Sequence, residues 1–442
     1  MRRVATPYSY GPGPPSGCWW AETVATPEWP RPEGDLRADV AVIGGGFTGL
    51  SAALHLAEAG EDVALCEAEA PFWGASGRNG GFCCLGGAKA DDATLARRHG
   101  AEGLRDWYRT ERAAVDFASA LIDRLDLGVD RHSQGETRLA HRPRDWEEMK
   151  RSADGLARTL GLAPRLTPPD ELAAEGLGGP FHGALTTPVG FALNPRKYAA
   201  GLAQAAERAG TRLFAPAPVE ALRREGQGWR LDLPKARLHA RRVIVATNGY
   251  SAEDVPDWMR ARTMPVGSNV IVTRPLAQEQ LQAAGWTSDQ MAYDTRNLLH
   301  YFRLMPDRRF LFGMRGGIID TPRERAALAA RIRADFAAMF PAWAHVETPY
   351  VWSGLICLTR RLTPFVGPVP GEPGLFAGFG YHGNGVAMGS YAGAVLADLV
   401  RDRAPDRPYP AAIRGPAGRF PLGRWRRALL VPAYAVKGWR DR

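Results

Sequence analysis

Residues 39–67 constrain the fold of this 442-residue chain more than any other stretch. An apolar run, Val40 to Ile43, leads directly into the glycine-rich turn Gly44-Gly45-Gly46-Phe47-Thr48-Gly49. A segment with helical periodicity follows, and then a second short apolar strand that ends in Glu67. This order of strand, tight turn, helix and strand predicts a βαβ unit in a parallel sheet.

Each glycine of the turn meets a need of a bound dinucleotide. Gly44 permits the sharp turn from strand to helix, Gly46 lets the backbone approach a pyrophosphate, and Gly49 lets the helix pack closely on the strand. The free N–H groups of the helix N-terminus face the phosphates. Glu67, 18 residues after Gly49, is placed to accept a hydrogen bond from an adenosine ribose hydroxyl. The pattern predicts a dinucleotide site, and the alternative is an ordinary glycine-rich βα turn.

Composition bounds the remaining possibilities. A chain of 442 residues that is 45% hydrophobic can form two domains. Its five cysteines show no metal-binding spacing, and they favour a reducing compartment. The first residues have no apolar core of signal-peptide length. We therefore expect a cytoplasmic protein without a bound metal.

The formal charge of +9 is concentrated in one segment. Residues 401–442 carry eleven Arg or Lys against three Asp, so the first 400 residues are close to neutral. This distribution gives no broad basic surface for nucleic acid. Within the basic segment, an apolar stretch from Ala428 to Val436 is flanked by arginines and tryptophans. Two interpretations stay open for it: packing on the body of the protein, or contact with an anionic membrane surface or an acidic partner.

The periodicity along the chain predicts a first domain that the chain leaves and re-enters. Its segments are 38–90, 195–260 and 350–400, and the intervening segments 91–194 and 261–349 form a second domain rich in antiparallel strands. Residues 1–37 form an N-terminal arm whose tryptophans pack on the body. Residues 401–442 form a basic C-terminal tail.

Glycine-rich turns occur three times, at 44–49, 74–81 and 378–385. A nicotinamide dinucleotide touches one βαβ unit and needs only the first turn. A flavin dinucleotide is buried along its length and needs backbone donors at the pyrophosphate and again at the isoalloxazine. The third turn precedes a helix whose N-terminal dipole would stabilise the negative charge of reduced flavin. The alternative is that Gly383 and Gly385 only cap that helix.

Five motifs in a specific order extend this argument over nearly the whole chain. They are GGGFTGLSAALHLAEAG, GASGRNGG, ATNGY, a strand with Trp352-Ser353-Gly354 that leads to Thr359 and Pro364-Phe365-Val366-Gly367, and GYHGNGV. With them the chain resembles the D-amino-acid-oxidase-like superfamily of FAD-dependent oxidoreductases, and within it the gamma-glutamylputrescine oxidase-type branch. The resemblance implies an α/β fold of the glutathione-reductase and D-amino-acid-oxidase type. In that fold a Rossmann-like FAD-binding domain is joined to a second, mainly antiparallel-sheet substrate domain.

The resemblance also implies FAD as the cofactor and a set of residues along it. The ADP half would lie on the first turn and Glu67, the pyrophosphate and flavin on the second loop, the adenine side near Val219, and the pyrimidine end on the third turn. The implied cofactor-binding residues are Gly44, Gly46, Phe47, Thr48, Gly49, Glu67, Ala75, Ser76, Arg78, Asn79, Gly80, Gly81, Val219, Thr247, Gly383, Asn384, Gly385 and Val386.

Three positions depart from the pattern of relatives. Arg78 stands where relatives with covalent flavin carry a His, and Gly354 stands in register with the linking Cys of sarcosine-oxidase-like members. Cys357 is near that position but out of register, so we expect non-covalent FAD. Arg361 replaces an acid that relatives often carry two residues after Thr359.

The implied reaction is oxidation of the C–N bond of a small amine or amino acid by hydride transfer to flavin N5, followed by hydrolysis of the imine. Tyr301, Arg303 and Arg315 fall on or beside strands of the predicted substrate sheet, where an Arg fork would bind a carboxylate. His382, in the third turn, either faces the substrate or hydrogen-bonds its own backbone. Tyr301, Arg315 and His382 are the candidate catalytic residues. The electron acceptor is oxygen or another species.

Two alternatives to this function remain. A flavin-binding subunit without turnover of its own would keep the cofactor site and need a partner component. A nicotinamide-dependent dehydrogenase would need only the first turn.

Overall fold

The computed structural model describes residues 1–441, and side chains from its two large sheets line one common cavity. Eighteen strands occur within these residues. In chain order they are β1 Gly34–Ile43, β2 Val63–Cys66, β3 Phe82–Cys83, β4 Glu136–Leu139, β5 Arg165–Thr167, β6 Ala184–Thr187, β7 Phe191–Ala192, β8 Arg212–Phe214, β9 Ala221–Glu225, β10 Gly228–Asp232, β11 Ala236–Val245, β12 Met264–Val272, β13 Met291–Asp294, β14 His300–Leu304, β15 Phe310–Arg315, β16 Tyr350–Leu358, β17 Phe365–Pro368 and β18 Leu375–Phe379.

The helices begin at residues that favour helix starts. Asp91, Asn194 and Thr321 each accept a hydrogen bond from a backbone N–H of the first turn of a helix, and three helices begin with Pro. The α-helices of the described residues are α1 Phe47–Glu58, α2 Asp92–Arg124, α3 Pro143–Leu160, α4 Pro195–Arg208, α5 Gln278–Ala284, α6 Pro322–Met339, α7 Gly385–Val400, α8 Ala411–Arg414 and α9 Leu430–Arg440.

The first sheet has the strand order β17-β18-β11-β1-β2-β8, and the β9–β10 hairpin extends it from β11. β1 pairs in parallel with β2 and β11, and β11 pairs in parallel with β18. The carboxyl ends of parallel strands meet at one edge of a sheet, which is where ligands bind in such folds. The first glycine turn after β1 and the start of α7 after β18 therefore lie at the same edge.

The second sheet has the order β16-β12-β15-β14-β13-β4-β6-β5 and is antiparallel except for the β13–β4 pair. One face packs on α6 through an aromatic core that includes Phe302, Phe310, Phe336, Phe340 and Trp343. The other side contributes Tyr301 and Arg315 to the cavity. The predicted fold class, a Rossmann-like domain with a second, mainly antiparallel sheet, is confirmed.

Two elements join a different layer from the one their sequence ranges predicted. β16 lies in the range 350–400, yet it pairs with β12 along its whole length at the edge of the second sheet. α2 lies in the range 91–194, yet its buried side chains, Trp107 and Val115 among them, belong to the core of the first sheet. Periodicity identifies the type of an element, whereas the sheet it joins depends on distant partners. The domain boundaries themselves remain a prediction.

The N-terminal arm packs on the body through its tryptophans. Trp20 and Trp29 are buried, and Trp29 contacts the ring of Phe72 edge-on at 6.0 Å between centroids. In the C-terminal tail, Leu430 packs on Met264 and Val266, so one side of α9 is covered by the second sheet.

Candidate active site

A cavity of about 410 Å³ lies between the carboxyl edge of the first sheet and the second sheet. Pockets for small molecules and cofactors span about 300–1,000 Å³. Sixteen of the eighteen residues predicted to bind the cofactor line this cavity: Gly44, Gly46, Phe47, Thr48, Glu67, Ala75, Ser76, Arg78, Asn79, Gly80, Val219, Thr247, Gly383, Asn384, Gly385 and Val386. The three glycine-rich turns, which are far apart in the sequence, thus meet around one space.

Gly49 and Gly81, the other two predicted residues, lie behind the cavity wall. A Cβ on Gly49 would lie 1.9 Å from the carbonyl oxygen of Gly44, so its hydrogen permits the close approach of α1 to β1. The carbonyl of Gly81 accepts a hydrogen bond from the N–H of Leu193 at 2.9 Å. The N–H of Gly81 donates to the side-chain oxygen of Asn79 at 2.8 Å. Gly81 therefore does not line the cavity, and its contact with the cofactor stays a prediction.

The first turn and Glu67 hold each other in place. Gly44 has a φ of +108°, in the region that favours glycine. The N–H of Gly45 donates to one carboxylate oxygen of Glu67 at 2.7 Å, and the N–H of Glu69 donates to the other at 3.0 Å. Burial raises the pKa of Glu67, while these backbone donors lower it. The carboxylate therefore lies beside the glycine turn, where the sequence predicted it.

The second loop is fixed from three directions. The hydroxyl of Ser76 accepts a hydrogen bond from the N–H of Phe47 at 2.9 Å, at the N-terminus of α1. The indole N–H of Trp20 donates to the carbonyl of Asn79 at 2.8 Å, and that of Trp352 donates to the carbonyl of Arg78 at 2.8 Å. The arm and the second sheet thus determine the backbone path of this loop along the cavity.

Arg78 is held by neutral oxygens and aromatic rings. Its guanidinium donates to the carbonyl of Ser353 at 3.0 Å and to the hydroxyl of Tyr250 at 2.6 Å. It also lies 4.5 Å from the centre of the Trp73 ring, within the range of a cation–π contact. These contacts leave a fixed positive charge beside the cavity.

The third turn connects two strands of the first sheet to the start of α7. The N–H of Gly380 donates to the side-chain oxygen of Asn248 at 2.9 Å, which joins the ends of β11 and β18. The amide of Asn384 donates to the carbonyl of Leu85 at 2.6 Å. Because α7 begins at Gly385 on the cavity wall, its unpaired N–H groups and dipole lie at this end of the cavity.

His382 does not face the substrate region, which corrects its prediction as a catalytic residue. Its Nδ1 donates to the carbonyl of Gly87 at 2.8 Å, and its Nε2 accepts from the N–H of Thr359 at 3.1 Å. The side chain is buried, and burial together with the charges of Lys89 and Arg315 lowers its pKa to about 4. His382 is therefore a neutral residue that ties three backbone segments together.

Tyr301 and Arg315 line the cavity, as a role in substrate binding requires. The hydroxyl of Tyr301 lies 3.0 Å from that of Ser268 on the neighbouring part of the second sheet. Arg315 lies beside the third turn, with its guanidinium 3.5 Å from the carbonyl of His382. Burial lowers the pKa of Arg315, but an arginine stays charged at neutral pH.

Arg303 is not a candidate for carboxylate binding. Its side chain is 1% exposed and donates to the carbonyls of Gly80 at 3.0 Å and Leu193 at 2.7 Å. It also lies 2.8 Å from Nε2 of His132, whose pKa burial lowers to about 4, so this imidazole is a neutral acceptor. The contact with Gly80 supports the second loop from behind.

Lys89 and Glu136 also line the cavity, although no motif singled them out. The positive charge of Arg315 and then burial lower the pKa of Lys89 to about 7. Lys197, by contrast, does not line the cavity, because its side chain forms an ion pair with Asp130 at 2.6 Å. Lys89 lies in an irregular loop and Glu136 at the start of a strand, so neither has a local pattern that marks a site.

Fold and cavity together define a flavin-dependent oxidoreductase, and a comparison with protein families supports this class. A family model described as FAD dependent oxidoreductase (DAO) matches residues 39–399, so the chain belongs to this family. FAD is therefore its cofactor, and the nicotinamide alternative is wrong.

Individual relatives agree with the family. The chain is 30% identical over 438 residues to the probable oxidoreductase OrdL of Rhizobium meliloti (strain 1021), covering 97% of this chain and 98% of that protein. It is 29% identical over 401 residues to the gamma-glutamylputrescine oxidoreductase of Escherichia coli (strain K12), covering 91% of each. The crystal structure of glycine oxidase from Geobacillus kaustophilus matches with a TM-score of 0.69 at 21% identity, covering 84% of this chain and 96% of that one, a likeness of fold. The family resemblance predicted from the motifs is confirmed.

Proposed function

We propose that this protein oxidises the C–N bond of a small amine or amino acid, with hydride transfer to FAD and hydrolysis of the resulting imine. The observation that carries the proposal is the pair of basic side chains, Arg315 and Lys89, in the same cavity as the dinucleotide turn. A substrate with a carboxylate would be held there by charge-assisted hydrogen bonds. Such an anchor places the neighbouring C–H bond in a fixed position.

The residues of the cavity fit FAD. The turn at Gly44–Thr48 and Glu67 would hold the ADP half, residues 75–80 the pyrophosphate and flavin, and Gly383–Val386 the pyrimidine end. When bound, FAD supplies the hydride acceptor. The N-terminus of α7 would stabilise negative charge on the reduced ring. The chain's own side chains bind and orient the substrate and exclude water from it.

We also propose that the FAD is not covalently linked. Cys357 lines the cavity, but burial raises its pKa to about 12, so its thiol is protonated and a poor nucleophile at neutral pH. Arg78 and Gly354 offer no nucleophile at all. Acid precipitation should release all of the flavin into the supernatant, and flavin that stays with the precipitate would contradict the proposal.

The proposed reaction is tested by an anaerobic flavin-bleaching screen with amino acids, N-methyl amino acids and glutamylated polyamines. Loss of the oxidised flavin absorbance with one of these compounds is the expected result. Failure across the whole panel would favour the alternative, a flavin-binding subunit without turnover of its own. Reoxidation by air, compared with reoxidation by an artificial acceptor, then identifies oxygen or another species as the electron acceptor.

The C-terminal tail supports a proposal about location. Residues 422–439 expose four large apolar side chains by more than half, Leu422, Trp425, Val431 and Trp439, and Val436 by half. The exposed cations Arg424 and Lys437 lie in the same segment, and the exposed Arg440 follows it directly. Apolar and aromatic side chains flanked by cations fit an anionic lipid surface. We therefore propose peripheral contact of the tail with anionic membranes.

A liposome pull-down at low and moderate salt tests this contact. Sedimentation with anionic but not with neutral vesicles is expected, and Trp425→Ser with Trp439→Ser should abolish it. No sedimentation at either salt concentration would refute it, and dimerisation through this surface would point to a second copy of the chain instead. No helix among residues 1–441 is both long and apolar enough to cross a bilayer. All five cysteines are free thiols, which fits the proposed cytoplasmic location.

A further inference from the structure

One buried carboxylate has no role in the proposed function. It lies at the substrate end of the cavity, by which we mean the end lined by Lys89 and Arg315. Glu136 is the first residue of β4, is 8% exposed and lines the cavity. The uncharged thiol of Cys84 and the backbone of Leu85 are close enough to lower its pKa. A carboxylate that is this buried is stabilised in most proteins by a cation in direct contact. Lys89 and Arg138 lower the pKa of Glu136 through their charge, and the cavity offers the place for a cation in direct contact with it.

Several titratable or charged groups from different elements surround Glu136. Burial raises the pKa of Glu136 to about 7, and the other contributions lower it. Glu111 on α2 is within electrostatic reach of Glu136, and burial together with the charge of Glu136 raises the pKa of Glu111 to about 8. Glu111 is therefore a neutral acid at pH 7. The titratable or charged neighbours are Cys84, Lys89, Glu111, Arg138 and Tyr293.

The substrate end thus has charges of both signs. Lys89 is within electrostatic reach of Arg315 and of Glu136, since both charges act on its pKa in opposite directions. A ligand with a carboxylate at Arg315 and an ammonium at Glu136 would compensate both. The charge pattern favours a zwitterion, in other words an amino acid or an amine with an anionic group.

We infer that Glu136 binds the amino group of the substrate and accepts its proton before the oxidation step. This inference rests on the proposed function. In the transfer, an N–H bond of the ammonium breaks, its electron pair stays on nitrogen, and the proton forms an O–H bond with the Glu136 carboxylate. The substrate is then a neutral amine, and Glu136 is a neutral acid.

The proton transfer is needed because hydride leaves a carbon whose neighbouring nitrogen has a free electron pair. An alkyl ammonium has a pKa of about 10, so an amine in solution at pH 7 is almost entirely protonated. A buried base that titrates near the working pH is suited to remove such a proton, and general bases of this kind typically contribute about 10²–10⁴-fold to a rate.

The test compares the pH dependence of anaerobic flavin bleaching in the wild type, Glu136→Gln and Glu136→Asp. In the wild type the rate should rise as the pH passes through about 7, where Glu136 becomes a carboxylate. In Glu136→Gln the rate at pH 7 should be about 10²–10⁴-fold lower than in the wild type. As the pH is raised further, this rate should increase about tenfold per pH unit, because the substrate ammonium deprotonates in solution. Glu136→Asp should restore part of the rate and the inflection.

A second readout does not depend on turnover. An amine substrate analogue without a hydrogen on the reacting carbon should perturb the flavin absorbance on binding. Its affinity should depend more strongly on pH in the wild type than in Glu136→Gln, where Lys89 still titrates but residue 136 does not. Glu147→Gln is the matched control, because Glu147 is exposed and forms an ion pair with Lys150 at 2.7 Å on the surface. It should match the wild type in both measurements.

The outcomes separate the two proposals. If the wild-type flavin is bleached by an amine but Glu136→Gln keeps the wild-type pH profile, the inference about Glu136 is wrong and the proposed function stands. If no amine bleaches the wild-type flavin, the proposed function fails and the inference fails with it. The flavin content of each purified variant shows whether it is folded.

Discussion

The contact between Gly49 and the carbonyl of Gly44 gives the sharpest prediction for the cofactor site. A Cβ at position 49 would lie 1.9 Å from that oxygen, whereas carbon and oxygen in contact stay about 3.3 Å apart, so in Gly49→Ala α1 must move by about 1.4 Å. The obstacle is backbone, which cannot rotate away as a flexible side chain would. The N–H groups at the start of α1 would then lie too far from a pyrophosphate.

The expected loss follows from the hydrogen bonds affected. Each hydrogen bond to a charged group contributes about 1.5–3 kcal/mol, which corresponds to about 10–150-fold in affinity. We therefore expect Gly49→Ala to weaken FAD binding at least tenfold, measured by titrating apoprotein with FAD. The overpacking also destabilises the fold by about 1–3 kcal/mol, partly offset by the better helix propensity of Ala, about 1 kcal/mol.

Gly155→Ala is the matched control, because Gly155 lies inside α3 and its Cβ would meet no atom within 4 Å. The same chemical change there should stabilise the protein slightly, by up to about 1 kcal/mol, and leave the affinity for FAD unchanged. If Gly49→Ala binds FAD within twofold of the wild type, the close approach of α1 to β1 is not what places the phosphate-binding groups.

Three further predictions concern the walls of the cavity. Because the folded state keeps His382 neutral with a pKa of about 4 against 6.5 ordinarily, stability should fall as the pH drops from about 6.5 to about 4. The loss is on the order of 3 kcal/mol, and urea unfolding at pH 7 and pH 5 should show a smaller loss in His382→Gln. Trp20→Phe removes the donor to Asn79 and should weaken FAD binding about two- to tenfold. Trp19→Phe is the control, because the ring of Trp19 packs on Tyr350, and it should leave FAD binding unchanged. Equal effects of the two substitutions would show that the hydrogen bond from Trp20 does not hold the second loop in place. Arg315→Met should raise KM for a carboxylate-bearing substrate about 10–150-fold but not for an amine without a carboxylate, and an equal change for both would exclude Arg315 as the carboxylate anchor.

The C-terminal tail lies close to the cavity. Tyr434 on α9 acts on the pKa of Arg315. Arg315 in turn lowers the pKa of Lys437, and Lys437 lowers that of Lys89, so α9 lies close to the substrate end. Binding of the tail to a membrane would bring this end of the cavity towards the lipid surface. The pull-down and the bleaching screen can therefore be combined, with and without anionic vesicles.

The sequence alone determined the parts of the site that rest on local constraints. The turn at 44–49 needs glycine for its backbone and its close packing, and the distance along the chain to Glu67 is set by one helix and one strand. The second and third turns carry the same kind of local signature. For this reason the cofactor and the fold class were predicted correctly, and sixteen of the predicted cofactor-binding residues line the cavity.

Only the tertiary structure decided which polar side chains reach the substrate region. Arg303 and Arg315 lie on neighbouring strands of the same sheet, yet one is enclosed by carbonyls and the other faces the cavity. His382 has the right position in its turn, but backbone groups from distant segments use both of its nitrogens. Lys89 and Glu136 come together with Arg315 from a loop and two strands. Charge and burial at this site depend on contacts across the chain, and no local pattern of residues encodes them.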